Sequence, residues 1–128
     1  MRYSFARDYS TGFVKHYGKQ TSADFDADLP AFLQANLDWH VGVAMASHNE
    51  LLIGFMTALS QAIYAGTENA AFVDDNVRKV TARAHRSITN AIRSRDAEAA
   101  NRRMRNHVHS YAKAALAVDE RDAISVDD

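Results

Sequence analysis

The stretch DLPAFLQANLDWHVGVAMAS, residues 28–47, decides the fold class of this 128-residue chain. Its apolar residues recur at intervals of three and four, which is the period of an amphipathic helix. Asp28 can cap this helix, and Pro30 stands near its first turn, where the missing N–H costs no hydrogen bond. One face of the helix holds Leu29, Leu33, Asn36, His40 and Val43. Two polar side chains are therefore predicted to face the core.

A second helix is predicted after Asn49, which is a good N-cap residue, and Gly66 is expected to end it as the C′ residue. Its predicted inner face is entirely apolar and consists of Leu52, Phe55, Met56, Leu59 and Ile63. This helix is expected to contribute core packing and no chemistry.

Two more helices follow with the same period. Asp74 or Asp75 can cap a third helix that runs to about Ser94, and Asp96 can cap the last one. The predicted inner face of the third helix consists of Val77, Thr81, His85, Ile88 and Ile92, and that of the last helix consists of Ala97, Ala100, Met104, His107, Tyr111 and Ala115. Since no segment alternates strictly between polar and apolar residues, we expect an all-α fold.

The two ends of the chain are expected to differ from the helical part. Residues 1–23 contain many aromatic residues without a clear period, which indicates an irregular or short-helical segment. Residues 24–118 are expected to form the helical domain. Residues 119–128 form an acidic tail that we expect to be disordered.

Composition narrows the function classes. The 47% hydrophobic and 24% charged residues are typical of a soluble globular domain, and no apolar run approaches the roughly 20 residues that cross a bilayer. A net charge of −1 argues against direct DNA binding, which requires a basic surface. With no cysteine, a transition metal has to be held by histidine, carboxylate or amide ligands. A cytoplasmic location is the expectation.

Asn36, His40, His85 and His107 are the candidate ligands of such a metal. Asn36 and His40 are four residues apart, one helical turn, so both side chains can reach one ion. His85 and His107 occupy the inner faces of two other helices, so three helices can direct four donors to one point. A core histidine more often makes a simple hydrogen bond, and a buried water cluster would also satisfy these groups. The remaining histidines, His16, His48 and His109, are interpreted as surface residues.

The chain resembles a known family at several motifs in succession. The motifs are LDWH at residues 37–40, ASHNELL at 46–52, AHRSI at 84–88, RDAEAA at 95–100 and MRNH at 104–107. In this order they are similar to the FCD domain, the ligand-binding helical domain of FadR-subfamily GntR transcriptional regulators. The resemblance covers roughly residues 24–115, and it implies an antiparallel bundle of about five to seven helices with a metal site in the core.

The resemblance also implies ligands and an effector. Members bind a divalent metal, commonly zinc or nickel, and a small carboxylate effector sits over it; by motif position the metal ligands are Asn36, His40, His85 and His107. Asn36 stands where the family often has Asp, so the ion would keep its charge of +2 and attract an anion more strongly. Thr81 and Arg103, each one turn from a ligand, are expected to contact the effector.

A member of this family acts as a sensor and has no enzymatic activity. The winged helix-turn-helix domain that normally precedes the FCD domain is not recognisable in these residues, so any control of DNA would pass through a separate domain, and a homodimer is expected. Two alternatives stay open: a metal-dependent enzyme with a His₃Asn site, and a dimerisation module that binds no metal. No Asp or Glu lies on the predicted inner faces beside the histidines, and Asp38, two residues before His40, is expected to point elsewhere, which argues against the enzyme.

Overall fold

A computed structural model describes residues 29–67 and 74–124, which form four α-helices and no strand. The helices are α1 (Leu29–Ala46), α2 (Glu50–Thr67), α3 (Asp75–Arg93) and α4 (Ala97–Ile124). The all-α prediction is confirmed, whereas a count of five to seven helices is too high for the described part of the chain. The short helix expected in residues 1–23 lies outside the described residues. No helix in the described ranges is long and apolar enough to span a bilayer.

The predicted caps begin three of the four helices. Asn49 Oδ1 accepts hydrogen bonds from the backbone N–H groups of Leu51 and Leu52, at 3.1 and 3.3 Å. Asp74 accepts one from Asn76 N–H at 2.8 Å, and Asp96 accepts one from Ala99 N–H at 2.9 Å. Each cap satisfies an amide that has no partner within the helix.

The turn between α1 and α2 and the turn between α3 and α4 are both tight, and each contains a residue with a positive φ in the left-handed region. His48, between α1 and α2, has a φ of 55°, and Arg95, between α3 and α4, has a φ of 58°. At the second turn, Asp96 N–H donates to Ala91 O and Arg95 N–H donates to Ile92 O, which is the Schellman pattern. With turns this short, α1 lies against α2 and α3 lies against α4.

Two helix ends differ from the sequence prediction. Gly66 was expected to terminate α2, but it lies inside the helix, which continues to Thr67. At the other end of the chain, α4 continues to Ile124, beyond Asp119, where we expected the ordered part to stop. Glu120, Arg121 and Ala123 are good helix formers, so an acidic composition does not prevent helix there. Residues 125–128 lie outside the described residues.

The core consists of two apolar clusters at different levels of the bundle. One contains Phe32, Leu33 and Ala82, with Leu29, Tyr64, Val77 and Tyr111 packed against it. The other contains Trp39 and Ile88, with Val43, Ala46, Ile92 and Met104 around it. Each cluster joins α1, α3 and α4, and the order of its members along each helix shows that α1 and α3 run parallel while α4 runs the opposite way. Between these levels, the same three helices place Asn36, His40, His85 and His107.

The predicted inner face of α2 is correct in part: Met56 and Leu59 are partly buried as expected, but Leu52 and Phe55 are exposed. Leu52 and Phe55 are 47% and 62% exposed, whereas Ile53 is partly buried and Ser60 is buried, and neither of these belongs to the predicted face. The helix is apolar on nearly all sides, so periodicity does not identify which of two adjacent apolar faces packs against the bundle. The inward face is therefore turned from the expected one by less than the 100° that separates successive residues.

Candidate metal centre

Three histidines from three helices meet between the two apolar clusters. His40 on α1, His85 on α3 and His107 on α4 each offer a ring nitrogen, and these nitrogens lie within 4.8 Å of one another. His85 is 1% exposed, and the other two are partly buried. The inward positions predicted for all three from periodicity are therefore confirmed, and the rings form one cluster.

The spacing within the cluster fits a shared ion. Nε2 of His85 and Nε2 of His107 are 3.1 Å apart. Two nitrogens bound to one zinc ion at about 2.0–2.1 Å have this separation when they subtend about 95–100° at the ion. The same distance also permits a hydrogen bond between the two rings, in which one nitrogen donates and the other accepts. A hydrogen bond between two rings does not require the third histidine, whereas a shared ion could use all three.

All three imidazoles are held in the neutral form that metal ligation requires. Burial and, to a smaller extent, the nearby His107 together lower the pKa of His40 from 6.5 to about 4. Burial also lowers the pKa of His85 well below 6.5, with contributions from His40 and His107. The pKa of His107 is lowered by burial as well.

These shifts predict an acid-sensitive fold for the metal-free protein. Well above pH 6.5, from about pH 7.5 upwards, the histidines are neutral in both folded and unfolded chains, so they do not make stability depend on pH. As the pH falls from 6.5 towards 4, the histidines of the unfolded chain bind protons, whereas the buried histidines of the folded chain do not. The free energy of unfolding should therefore fall, by up to about 1.4 kcal/mol per pH unit for each histidine.

Urea unfolding of chelator-treated protein between pH 7.5 and 4.5 measures this slope. A His40→Gln variant provides the control, because it removes one of the shifted groups and should make the slope shallower. A free energy of unfolding that stays constant over this range would contradict the burial of neutral rings.

Asn36 has an unsatisfied oxygen at the same level of the bundle. Its side chain is 5% exposed, and among the described residues Oδ1 has no hydrogen-bond partner. A buried polar atom without a partner costs about 1–3 kcal/mol, so a ligand for it is favoured. Asn36 lies one helical turn before His40, on the face of α1 that packs into the bundle. An amide oxygen at this position fits the role of a fourth metal ligand.

A family model for the FCD domain matches residues 13–110, about three quarters of the chain. The chain belongs to the FCD domain family. The match begins before residue 24, where the motif resemblance was expected to begin, and so includes part of the segment that periodicity left unassigned. No match was found among curated proteins or among solved structures. FCD domains are regulatory ligand-binding domains of GntR-type transcription factors and are not an enzyme family.

Trp39 supports the centre of this FCD domain in a way that sequence reasoning missed. Its indole stacks on the ring of His85, with centroids 3.7 Å apart and planes inclined by 7°. Its Nε1–H donates a hydrogen bond of 3.1 Å to Thr89 Oγ1, one turn beyond His85 on α3. Its position beside His40 was the available signal for a role at the histidines.

Thr81 and Arg103 of the FCD domain line one cleft, together with His107. The cleft lies between α3 and α4 and has a volume of about 370 Å³. Thr81 is buried, and Arg103 is exposed and donates from Nη1 to Ser87 O at 2.6 Å. The two residues chosen for effector contact therefore share a cavity with a candidate ligand.

The other histidines do not join the centre. His48, in the turn between α1 and α2, and His109, on α4, are both exposed, as predicted. His16 lies outside the described residues. His109 is only two positions from His107 but about 200° around the helix, which makes it a matched control for experiments on the centre.

Proposed function

We propose that this FCD domain senses a small carboxylate through a divalent metal held by Asn36, His40, His85 and His107, with zinc or nickel as the ion. The observation that supports this most is the convergence of three neutral imidazoles from three helices. Imidazole and amide ligands suit both metals. When bound, the metal would supply a fixed positive charge for an anionic effector.

The cleft between α3 and α4 is the proposed effector site. It is bounded by His107, so an effector there would lie against the metal centre, and Arg103 at its rim can pair with a carboxylate. Thr81, Ser110 and Tyr111 add hydroxyl groups to an otherwise mainly apolar lining. This chemistry favours a small organic acid over a large polyanion.

Sensing would be transmitted by the helices that hold the metal. An effector bound across α3 and α4 contacts the same helices that position His85 and His107, so it can favour one arrangement of α1, α3 and α4 over another. In a GntR-type regulator, such a change reaches DNA through a separate reader domain and a homodimer. The separate reader domain and the homodimer are both part of the proposed function.

An enzymatic function is the weaker candidate. The buried polar side chains of the described residues are Asn36, Ser60, Thr81, His85 and Thr89. None of these is acidic, so a general base for metal-activated water is missing from that set. Family membership also favours regulation.

A thermal-shift series on tag-free protein tests the proposal. Adding zinc or nickel to chelator-treated protein should raise the melting temperature, since a ligand at 100 times its Kd stabilises the fold by about 2.7 kcal/mol. Small dicarboxylates and hydroxy acids should raise it further only with metal present. An acid that stabilises the metal-free protein equally would contradict metal-mediated sensing, and turnover of a bound acid would favour the enzyme.

Asn36→Asp should weaken effector binding. Three neutral histidines and an amide leave the ion its charge of +2, whereas a carboxylate ligand reduces the net charge of the centre to +1 and attracts an anion less. Titration calorimetry of metal-loaded protein with an acid found in the screen measures the change. Equal carboxylate affinity in the variant and the original chain would count against the charge argument, provided that both hold one ion.

A further inference from the structure

A second groove between α3 and α4 lies next to the proposed effector cleft and reaches the turn that joins the two helices. It has a volume of about 600 Å³, and the exposed side chains of Arg83, Arg86 and Arg103 line it. We call it the arginine groove. Its other lining residues are Ser87, Asn90, Ala91, Ser94, Asp96 and Ala99. The candidate metal ligands are not among them, so the groove offers chemistry that is separate from the metal centre.

The positive charges of the arginine groove are not neutralised by the described part of the chain. Among the described residues, Arg83, Arg86 and Arg103 form no ion pair. Asp96 is the one acid among the described lining residues, and its Oδ1 caps α4 by accepting a hydrogen bond from Ala99 N–H at 2.9 Å. Guanidinium groups keep their charge at physiological pH, and like charges repel one another. The groove therefore favours an anion as its ligand.

Charge is divided unevenly between the two helix pairs. Segment 74–113, which contains the arginine groove, has ten Lys or Arg and four Asp or Glu, although the net charge of the whole chain is −1. Segment 29–67, which forms α1 and α2, contains no Lys or Arg. A surface region of one charge sign raises the local concentration of oppositely charged ligands. The field of α3 and α4 therefore draws anions towards the groove.

Hydrogen bonds within the chain position donors along the arginine groove. Arg103 Nη1 donates to Ser87 O at 2.6 Å, which fixes this guanidinium across the groove. Arg93 Nη1 donates to Asn90 Oδ1 at 2.7 Å, which leaves the Nδ2 group of the same amide as a donor for a ligand. The hydroxyl group of Ser94 adds another donor. Guanidinium groups bind phosphate through paired N–H···O bonds, and neutral donors can complete such a site.

We propose that the arginine groove is a second ligand site, which binds the phosphate group of a small molecule and needs no metal. Its volume of about 600 Å³ lies within the range of about 300–1,000 Å³ that is typical of small-molecule sites. A phosphate monoester has three acceptor oxygens and a charge of about −2, so it matches three guanidinium groups better than a carboxylate does. Duplex DNA fits less well, because its backbone needs basic residues spread over an extended surface.

A thermal-shift titration of the full chain, treated with chelator, tests the proposal independently of the metal centre. At an ionic strength held constant with sodium chloride, inorganic phosphate and glycerol 3-phosphate should raise the melting temperature, whereas glycerol should not. Arg86→Gln should raise the Kd for phosphate by about 10-fold or more, because it removes a charge-assisted hydrogen bond. Arg86 is exposed, so helix content by circular dichroism should not change. Arg105→Gln, exposed on α4 outside the groove, is the matched control and should leave the Kd unchanged.

The order of affinities identifies the source of the phosphate. Tighter binding of glycerol 3-phosphate would indicate a phosphate ester, and tighter binding of inorganic phosphate would indicate the free ion; either result supports the site. A melting temperature that depends on ionic strength alone would mean that the groove is empty or is occupied by another segment of the chain, and would overturn the proposal. Equal losses in Arg86→Gln and Arg105→Gln, or tighter binding of a DNA duplex through Arg86, would also overturn it.

Discussion

Replacing Trp39 with alanine is expected to lower the free energy of unfolding by about 3–5 kcal/mol, the largest stability effect in the described core. The indole is 1% exposed, and it packs against Ile88 and stacks on the ring of His85. Its loss leaves a cavity beside the histidines and removes the donor to the buried Thr89 hydroxyl. Urea unfolding of the metal-free protein at pH 7.5 measures the change.

Trp39→Phe separates packing from hydrogen bonding. Phenylalanine keeps a ring that can stack on His85 but has no N–H for Thr89, so we expect a loss of about 1–2 kcal/mol. A loss below about 1 kcal/mol for Trp39→Ala would show that the indole does not connect α1 with α3. That result would also remove the structural reason for the fixed orientation of the His85 ring.

His107→Gln is expected to have the largest effect on metal binding, with a loss of at least about 100-fold in affinity. Loss of a residue that only supports a ligand typically costs about 10–100-fold, and loss of a ligand itself should exceed this. His107 is the least buried of the three rings because it lines the cleft. Glutamine can therefore replace it with little damage to packing. Competition with a chromophoric chelator measures the Kd.

His109→Gln provides the matched control on the same helix. It removes an imidazole two residues away on the exposed side of α4, so metal affinity should stay within about twofold of the original. Equal losses in both variants would mean that the chain binds metal through scattered surface histidines. Unchanged affinity in His107→Gln would remove α4 from the centre.

The sequence was sufficient to place the candidate ligands on their helices. Helical periodicity put His40, His85 and His107 on inner faces, and capping residues fixed where α3 and α4 begin. Because side chains on the inner faces of packed helices converge, the cluster follows from three local predictions. Periodicity could not predict how the helices are aligned along their axes. This alignment depends on the lengths of the turns and on the packing of both apolar clusters.

Two features escaped prediction for different physical reasons. Helix α2 is apolar on almost every side, so its sequence contains no polar face to indicate which side is exposed. Trp39 points about 100° away from His40 on α1, and its contact with His85 is made across 46 residues of chain. Contacts of this kind depend on tertiary packing. The spacing of residues along one helix does not predict them.

The proposed metal centre is tested most directly by the metal content of the full chain. The protein is purified without a histidine tag, loaded with zinc or nickel and freed of excess metal by gel filtration. We expect one ion per chain, with X-ray absorption showing three imidazole ligands and further oxygen donors. Protein that retains no ion, or retains one whose spectrum lacks the three imidazoles, would contradict a metal centre built from His40, His85 and His107.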